Sequence, residues 1–157
     1  VSGLVLALGG LWMTWGRGSW LTYIGAIGIT LDALLITGFT VLAWQAARHR
    51  QFADHRRWAI RLFAVASAVW FMRVGYMAWG LATGGAGIGK AMDGPFDIFL
   101  AFANSLLPLA VAEIYLRAGA RGTPAARKAV AALLVTSGVV ILAGSAGAWM
   151  VMWGPYI

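Results

Sequence analysis

Cysteine is absent from this 157-residue chain. That excludes disulfides and thiolate metal sites and leaves the compartment open. Acidic residues are almost as scarce, five Asp and Glu against twelve Lys and Arg. They form no catalytic pair and no metal-ligand spacing, since Asp97 and Glu113 fall near opposite ends of one apolar run. Histidine occurs twice, at His49 and His55, both beside arginines in a charged loop. No histidine lies inside an apolar segment, so haem ligation within these residues is not expected. Ser105 has no histidine at its depth and makes no hydrolytic site. No catalytic residue, metal or cofactor is expected from this inventory. Charged residues make up 11% of the chain, where soluble domains carry about a quarter.

What the chain has instead is apolar length. Hydrophobic residues make up 61% of it, more than the interior of a small water-soluble fold hides. Lipid hides it readily, because a spanning helix needs roughly 20 mostly apolar residues. Apolar runs cover residues 1–15, 20–47, 58–81, 95–116 and 129–153. They predict an all-α integral membrane bundle of about five transmembrane helices, in a single transmembrane domain over 1–157. Gly16–Ser19 reads as a tight turn, 48–57 as a charged loop, 82–94 as a glycine-rich loop and 117–128 as a basic connection. Pro95 is suited to the first helical position, and Pro124 helps to open the last helix. Val1 lies inside an apolar run, which gives the expectation that the natural chain extends further at its N-terminus.

Orientation follows from counting Lys and Arg. The loop at 48–57 holds Arg48, Arg50, Arg56 and Arg57, and 117–128 holds Arg117, Arg121, Arg127 and Lys128. The other two connections hold only Arg17 and Lys90. The basic loops are therefore expected in the cytoplasm of a bacterial inner membrane, with the C-terminus outside. Trp12, Trp15, Trp20, Tyr23, Trp79, Trp149, Trp153 and Tyr156 then fall at the outer interface, and Trp44, Trp58 and Tyr115 at the inner one. Topology also accounts for the net charge of +7. No nucleic-acid motif accompanies it, and no nucleic-acid partner is expected.

The stretch His55-Arg56-Arg57-Trp58-Ala59-Ile60-Arg61, with Arg73 deeper in the same helix, resembles the signature of the DUF2306 family of bacterial multi-pass membrane proteins. Asn104, Ala112-Glu113 and Leu116-Arg117 add to the likeness, which covers roughly Ala47 to Arg117. The resemblance implies a fold and a membrane location, and no activity. Members of that family carry further N-terminal sequence with its own histidines.

Several polar features admit a functional and a plainer reading. Gly84-Gly85-Ala86-Gly87-Ile88-Gly89-Lys90 matches the opening of a phosphate-binding loop. However, Ala91 stands where Ser or Thr is needed and no strand precedes it, so an external loop is the better reading. Arg56, Arg57 and Trp58 suit anionic lipid headgroups or simple anchoring. Small residues in 129–153, among them Gly144, Gly147 and Ala148, suit packing within the bundle or contact with another subunit. Depth arguments at 1.5 Å per residue predict an inner-face ion pair of Arg61 with Glu113. The same arguments predict an intramembrane cluster of Asp32, Arg73 and Asn104. In that cluster Asp32 pairs with Arg73, and Gly25 and Gly28 admit a close backbone.

Three functions remain open at this level. The first reading is an accessory or structural subunit of a larger membrane complex, favoured by the lack of catalytic chemistry, the high Trp content and the small-residue faces, with lipids and other subunits as partners. Another is a small transporter or proton- or solute-handling protein, favoured by ionisable residues in the bilayer. The last is a redox membrane protein with its cofactor ligands in further N-terminal sequence.

Overall fold

The computed structural model describes residues 2–16 and 22–150, and among these every regular element is helical. In chain order they are α1 (Ser2–Leu11), a π-helical turn (Trp12–Gly16), α2 (Tyr23–Arg48), α3 (Phe52–Ala66), α4 (Ala68–Thr83), α5 (Pro95–Arg121) and α6 (Pro124–Ala148). The expected turn at Gly16–Ser19 falls largely outside the described residues, as do Trp20, Trp153, Tyr156 and the C-terminal tail.

Turn chemistry explains the boundaries. Thr22 caps α2, its hydroxyl accepting from the Gly25 N–H at 3.3 Å. Thr123 caps α6 in the same way, accepting from Ala126 N–H at 3.2 Å, and Pro124 takes the first helical position. Gly84 ends α4 in the left-handed conformation with φ 68°, which a residue without Cβ adopts freely. The expected loops are much shorter than the sequence suggested. α3 already begins at Phe52, and only Gly122 and Thr123 separate α5 from α6. Charged residues at the ends of membrane helices keep helical backbone while their side chains reach outward, so charge alone misplaced these ends by several residues.

The expected bundle of about five spans is met in part. α2, α5 and α6 are each long and apolar enough to cross a membrane. The run expected at 58–81 is instead broken at Ser67, and the axes of α3 and α4 differ by 50°. Taken together as one bent span, these two make a fourth. α1 with its π-helical turn is too short to count. At 1.5 Å per residue it reaches about 22 Å, against a hydrocarbon core of about 30 Å.

Packing gives the break a consequence. α3 packs on α2 and α5, whereas α4 packs on α6 and α5. α1 lies along α2, held at its far end by the Trp15 indole N–H, which donates to Thr30 Oγ1 at 3.0 Å. The interior is built mainly from alanine and glycine, including Ala26, Ala33, Ala64, Ala68 and Ala103. Small side chains let backbones approach and gain dispersion contact. A Cβ on Gly28 would meet the Ala101 carbonyl oxygen at 2.5 Å, so only glycine allows α2 this close to α5. Large apolar side chains stand outward around the bundle, with Leu8, Phe63 and Leu142 all about 70% exposed. A surface of that kind suits lipid rather than water.

Candidate functional site

Asp32 projects from the middle of α2 toward the fully buried Ser105 of α5. The two positions are each one turn beyond the Gly28–Ala101 approach, so the close crossing sets them opposite each other. Ser105 Oγ donates to its own helix, to the Phe102 carbonyl at 3.4 Å. Among the described residues Asp32 Oδ1 is buried without a hydrogen-bond partner, while the Ser105 hydroxyl lies within reach of the carboxyl group. Asn104, the neighbouring residue on α5, is 8% exposed, and its Oδ1 also lacks a partner.

Asp32 and Asn104 line the same cavity, which measures about 370 Å³ and lies among α1, α2, the end of α3, α4 and α5. Most of its wall is apolar, with Leu6, Ile29, Val65, Val69 and Met72 contributing. Its remaining polar groups are Thr14, Thr22, Tyr76 and Asp97. Thr14 is occupied, donating to the Gly10 carbonyl at 2.8 Å. No described residue lining the cavity is basic.

Asp97, 4% exposed, is a different kind of carboxylate. Its Oδ1 accepts from Tyr76 Oη at 2.7 Å, and its Oδ2 accepts from the N–H groups of Gly89 and Gly94 at 2.7 and 2.9 Å. Both oxygens are satisfied by the chain. They fold the 84–94 loop onto the start of α5, helped by Trp79 stacked on Phe96 at 4.6 Å. The glycine-rich segment is therefore a closed loop pinned by an acid. The sequence reading missed this role, although Gly94-Pro95 followed by an acid in the first helical turn is a helix-start signal. It missed Ser105 as the neighbour of Asp32 and Tyr76 as part of the cavity wall as well, because neither carries a charge to mark it.

The expected cluster of Asp32, Arg73 and Asn104 is only partly assembled. Asp32 and Asn104 meet at the cavity, but Arg73 is exposed on α4 and forms no ion pair with Asp32. The reason lies in helix neighbours. α2 packs on α1, α3 and α5 and forms no packed interface with α4. Matching depth placed Asp32 and Arg73 at one level, but the break at Ser67 had already turned α4 toward α6.

Arg61 and Glu113 do meet. Arg61 Nε donates to Glu113 Oε1, and Nη2 donates to Oε2 at 3.1 Å, a two-pronged pairing. The Arg61 guanidinium also lies 4.6 Å over the Trp58 ring, and Arg117 stands 3.8 Å from Glu113. Trp58 is thereby engaged with Arg61 and, by stacking at 5.9 Å, with Phe39 of α2. It does not line the basic pocket that Arg56 and Arg57 enter. His55 Nδ1 lies 2.8 Å from the Ala43 carbonyl and, donating to it, ties the start of α3 to α2.

Two of the small residues of α6 pack inside the bundle. A Cβ on Gly144 would meet the Val74 carbonyl oxygen at 2.6 Å, and one on Gly147 would meet Leu81 Cδ1 at 2.7 Å. Gly144 and Gly147 thus set the approach of α6 to α4, while Gly138 has open space around it. Comparison of the chain with protein-family models, with curated proteins and with solved structures gives no match.

Proposed function

We propose that this chain is a multi-pass inner-membrane protein that binds a small organic cation in the cavity beside Asp32. The observation that carries the reading is a pair of buried, unpartnered acceptor oxygens, on Asp32 and Asn104, lining one largely apolar cavity without a described basic residue. A buried carboxylate with an unsatisfied oxygen and no cation beside it is costly and calls for a proton or a positive ligand. The apolar wall favours a cation with hydrocarbon substituents, and about 370 Å³ lies within the range of small-molecule sites. This develops the solute-handling reading of the sequence. Five membrane segments, with α1 and its π-helical turn as the first, belong to the same proposal. So do the cytoplasmic placement of the α2–α3 and α5–α6 turns and the DUF2306 resemblance.

Equilibrium binding of benzyltrimethylammonium and of its uncharged isostere neopentylbenzene to the purified protein tests the proposal. Wild type should prefer the cation, and Asp32→Asn should lower cation affinity at least tenfold while retaining the isostere. Equal binding of both compounds, or an unchanged cation affinity in D32N, overturns it.

A further inference from the structure

A second cavity of about 480 Å³ opens at the end of the bundle that carries the α2–α3 and α5–α6 turns. Arg56 and Arg57 reach it from α3 and Arg127 from α6, while Tyr115 and Gly119 of α5 form its floor. The sequence places these arginines in two separate basic segments, about seventy residues apart, and only the fold gathers them. Among the described residues lining this cavity there is no acid. Asp54 offsets Arg57 from outside it, at 3.6 Å, and among the described residues Arg56 and Arg127 have no anionic partner.

This basic pocket leads into an apolar groove of about 670 Å³, and Tyr115 and Leu134 line both. The groove exists because α3 and α6 each pack on α5 but form no packed interface with each other. Phe63 and Phe71 stand on one side, Ser137, Gly138 and Ile141 on the other, with Pro108 between them. Guanidinium groups at the mouth and an apolar channel running inward match a molecule with an anionic head and a hydrocarbon tail.

We infer that Arg56, Arg57 and Arg127 hold the phosphate of one anionic phospholipid, with an acyl chain lying in the groove between α3 and α6. The groove shares Asn104 with the Asp32 cavity, but its basic mouth does not, and the lipid assignment does not rest on a ligand beside Asp32. Plain anchoring needs no such groove, and a free-phosphate site needs no apolar channel.

Native mass spectrometry of the full chain, released from mixed phosphatidylglycerol and phosphatidylcholine, tests the assignment. Wild type should retain phosphatidylglycerol preferentially. Each arginine changed to glutamine should lower that retention roughly fivefold, the equivalent of about 1 kcal/mol per basic residue at an anionic surface. Lys90→Gln, at the opposite end of the bundle, should leave it unchanged. Gly138→Leu tests the tail: the Gly138 Cβ position has open space around it, so a leucine there enters the groove and should reduce lipid retention with all three arginines intact. Equal retention of the two lipids, or a preference that survives R56Q/R57Q/R127Q, overturns the site. Displacement of the lipid by millimolar inorganic phosphate, together with unaltered retention in G138L, would make it a free-anion pocket and overturn the lipid assignment.

Discussion

Arg61 and Arg73 sit twelve residues apart in sequence, yet the structure treats them in opposite ways. Arg61 is mostly buried, with a side chain 17% exposed, a two-pronged bond to Glu113 and an aromatic face beneath it. Removing one partner of such a pair leaves a charge without compensation, which costs about 3–5 kcal/mol. Glu113→Gln should therefore lower stability by about 3 kcal/mol in reversible unfolding, and the swap R61E/E113R should recover part of the loss. Arg73 is exposed and unpaired among the described residues. Arg73→Gln should change stability by no more than about 0.5 kcal/mol. A loss as large as that of E113Q would show a partner for Arg73 that the fold described here does not contain. Both arginines were legible in the sequence as charges at a known depth. Depth is one coordinate, however, and pairing also requires adjacent helices. That second condition holds for α3 with α5 and fails for α2 with α4.

At the scale of the helix, punctuation was readable where Pro, Gly or Thr supplied it. Pro95 and Pro124 open α5 and α6, and Gly84 closes α4. The break at Ser67 was not readable, because neither glycine nor proline stands there and the composition runs apolar straight through it. The small residues of α6 were visible as a packing face without revealing their partner, which is α4. Two substitutions on that helix separate packing from propensity. Gly138→Ala meets nothing within 4 Å and should be neutral or stabilise by up to about 1 kcal/mol, the helix preference of alanine over glycine. Gly144→Ala forces a Cβ against the Val74 carbonyl and should destabilise by about 1–3 kcal/mol. Thermal unfolding of the two variants in one detergent decides this. If both shift in the same direction by similar amounts, α6 does not pack on α4 through Gly144.

At the scale of the molecule, the two ends differ in charge and the middle holds an acceptor-rich cavity. The end with the α2–α3 and α5–α6 turns bears Arg48, Arg50, Arg56, Arg57, Arg117, Arg127 and Lys128, while Lys90 is the described cation at the other end. Cysteines placed at Gln51 and at Ala86 should be labelled by an impermeant maleimide from opposite sides, Gln51 only from the cytoplasm. Labelling of Gln51 from outside intact cells contradicts the orientation. The central claim, that Asp32 is a carboxylate without a cationic partner facing a ligand cavity, is tested most directly with a lipid-soluble carbodiimide. Such a reagent adds a protonated carboxyl and rearranges to a stable N-acylurea, which peptide mass spectrometry assigns to a residue. The account predicts modification at Asp32, suppressed by benzyltrimethylammonium, with Asp97 spared because both its oxygens are already hydrogen-bonded. Modification of Asp97 or Glu113 with Asp32 untouched, or labelling of Asp32 that the cation leaves undiminished, would contradict it.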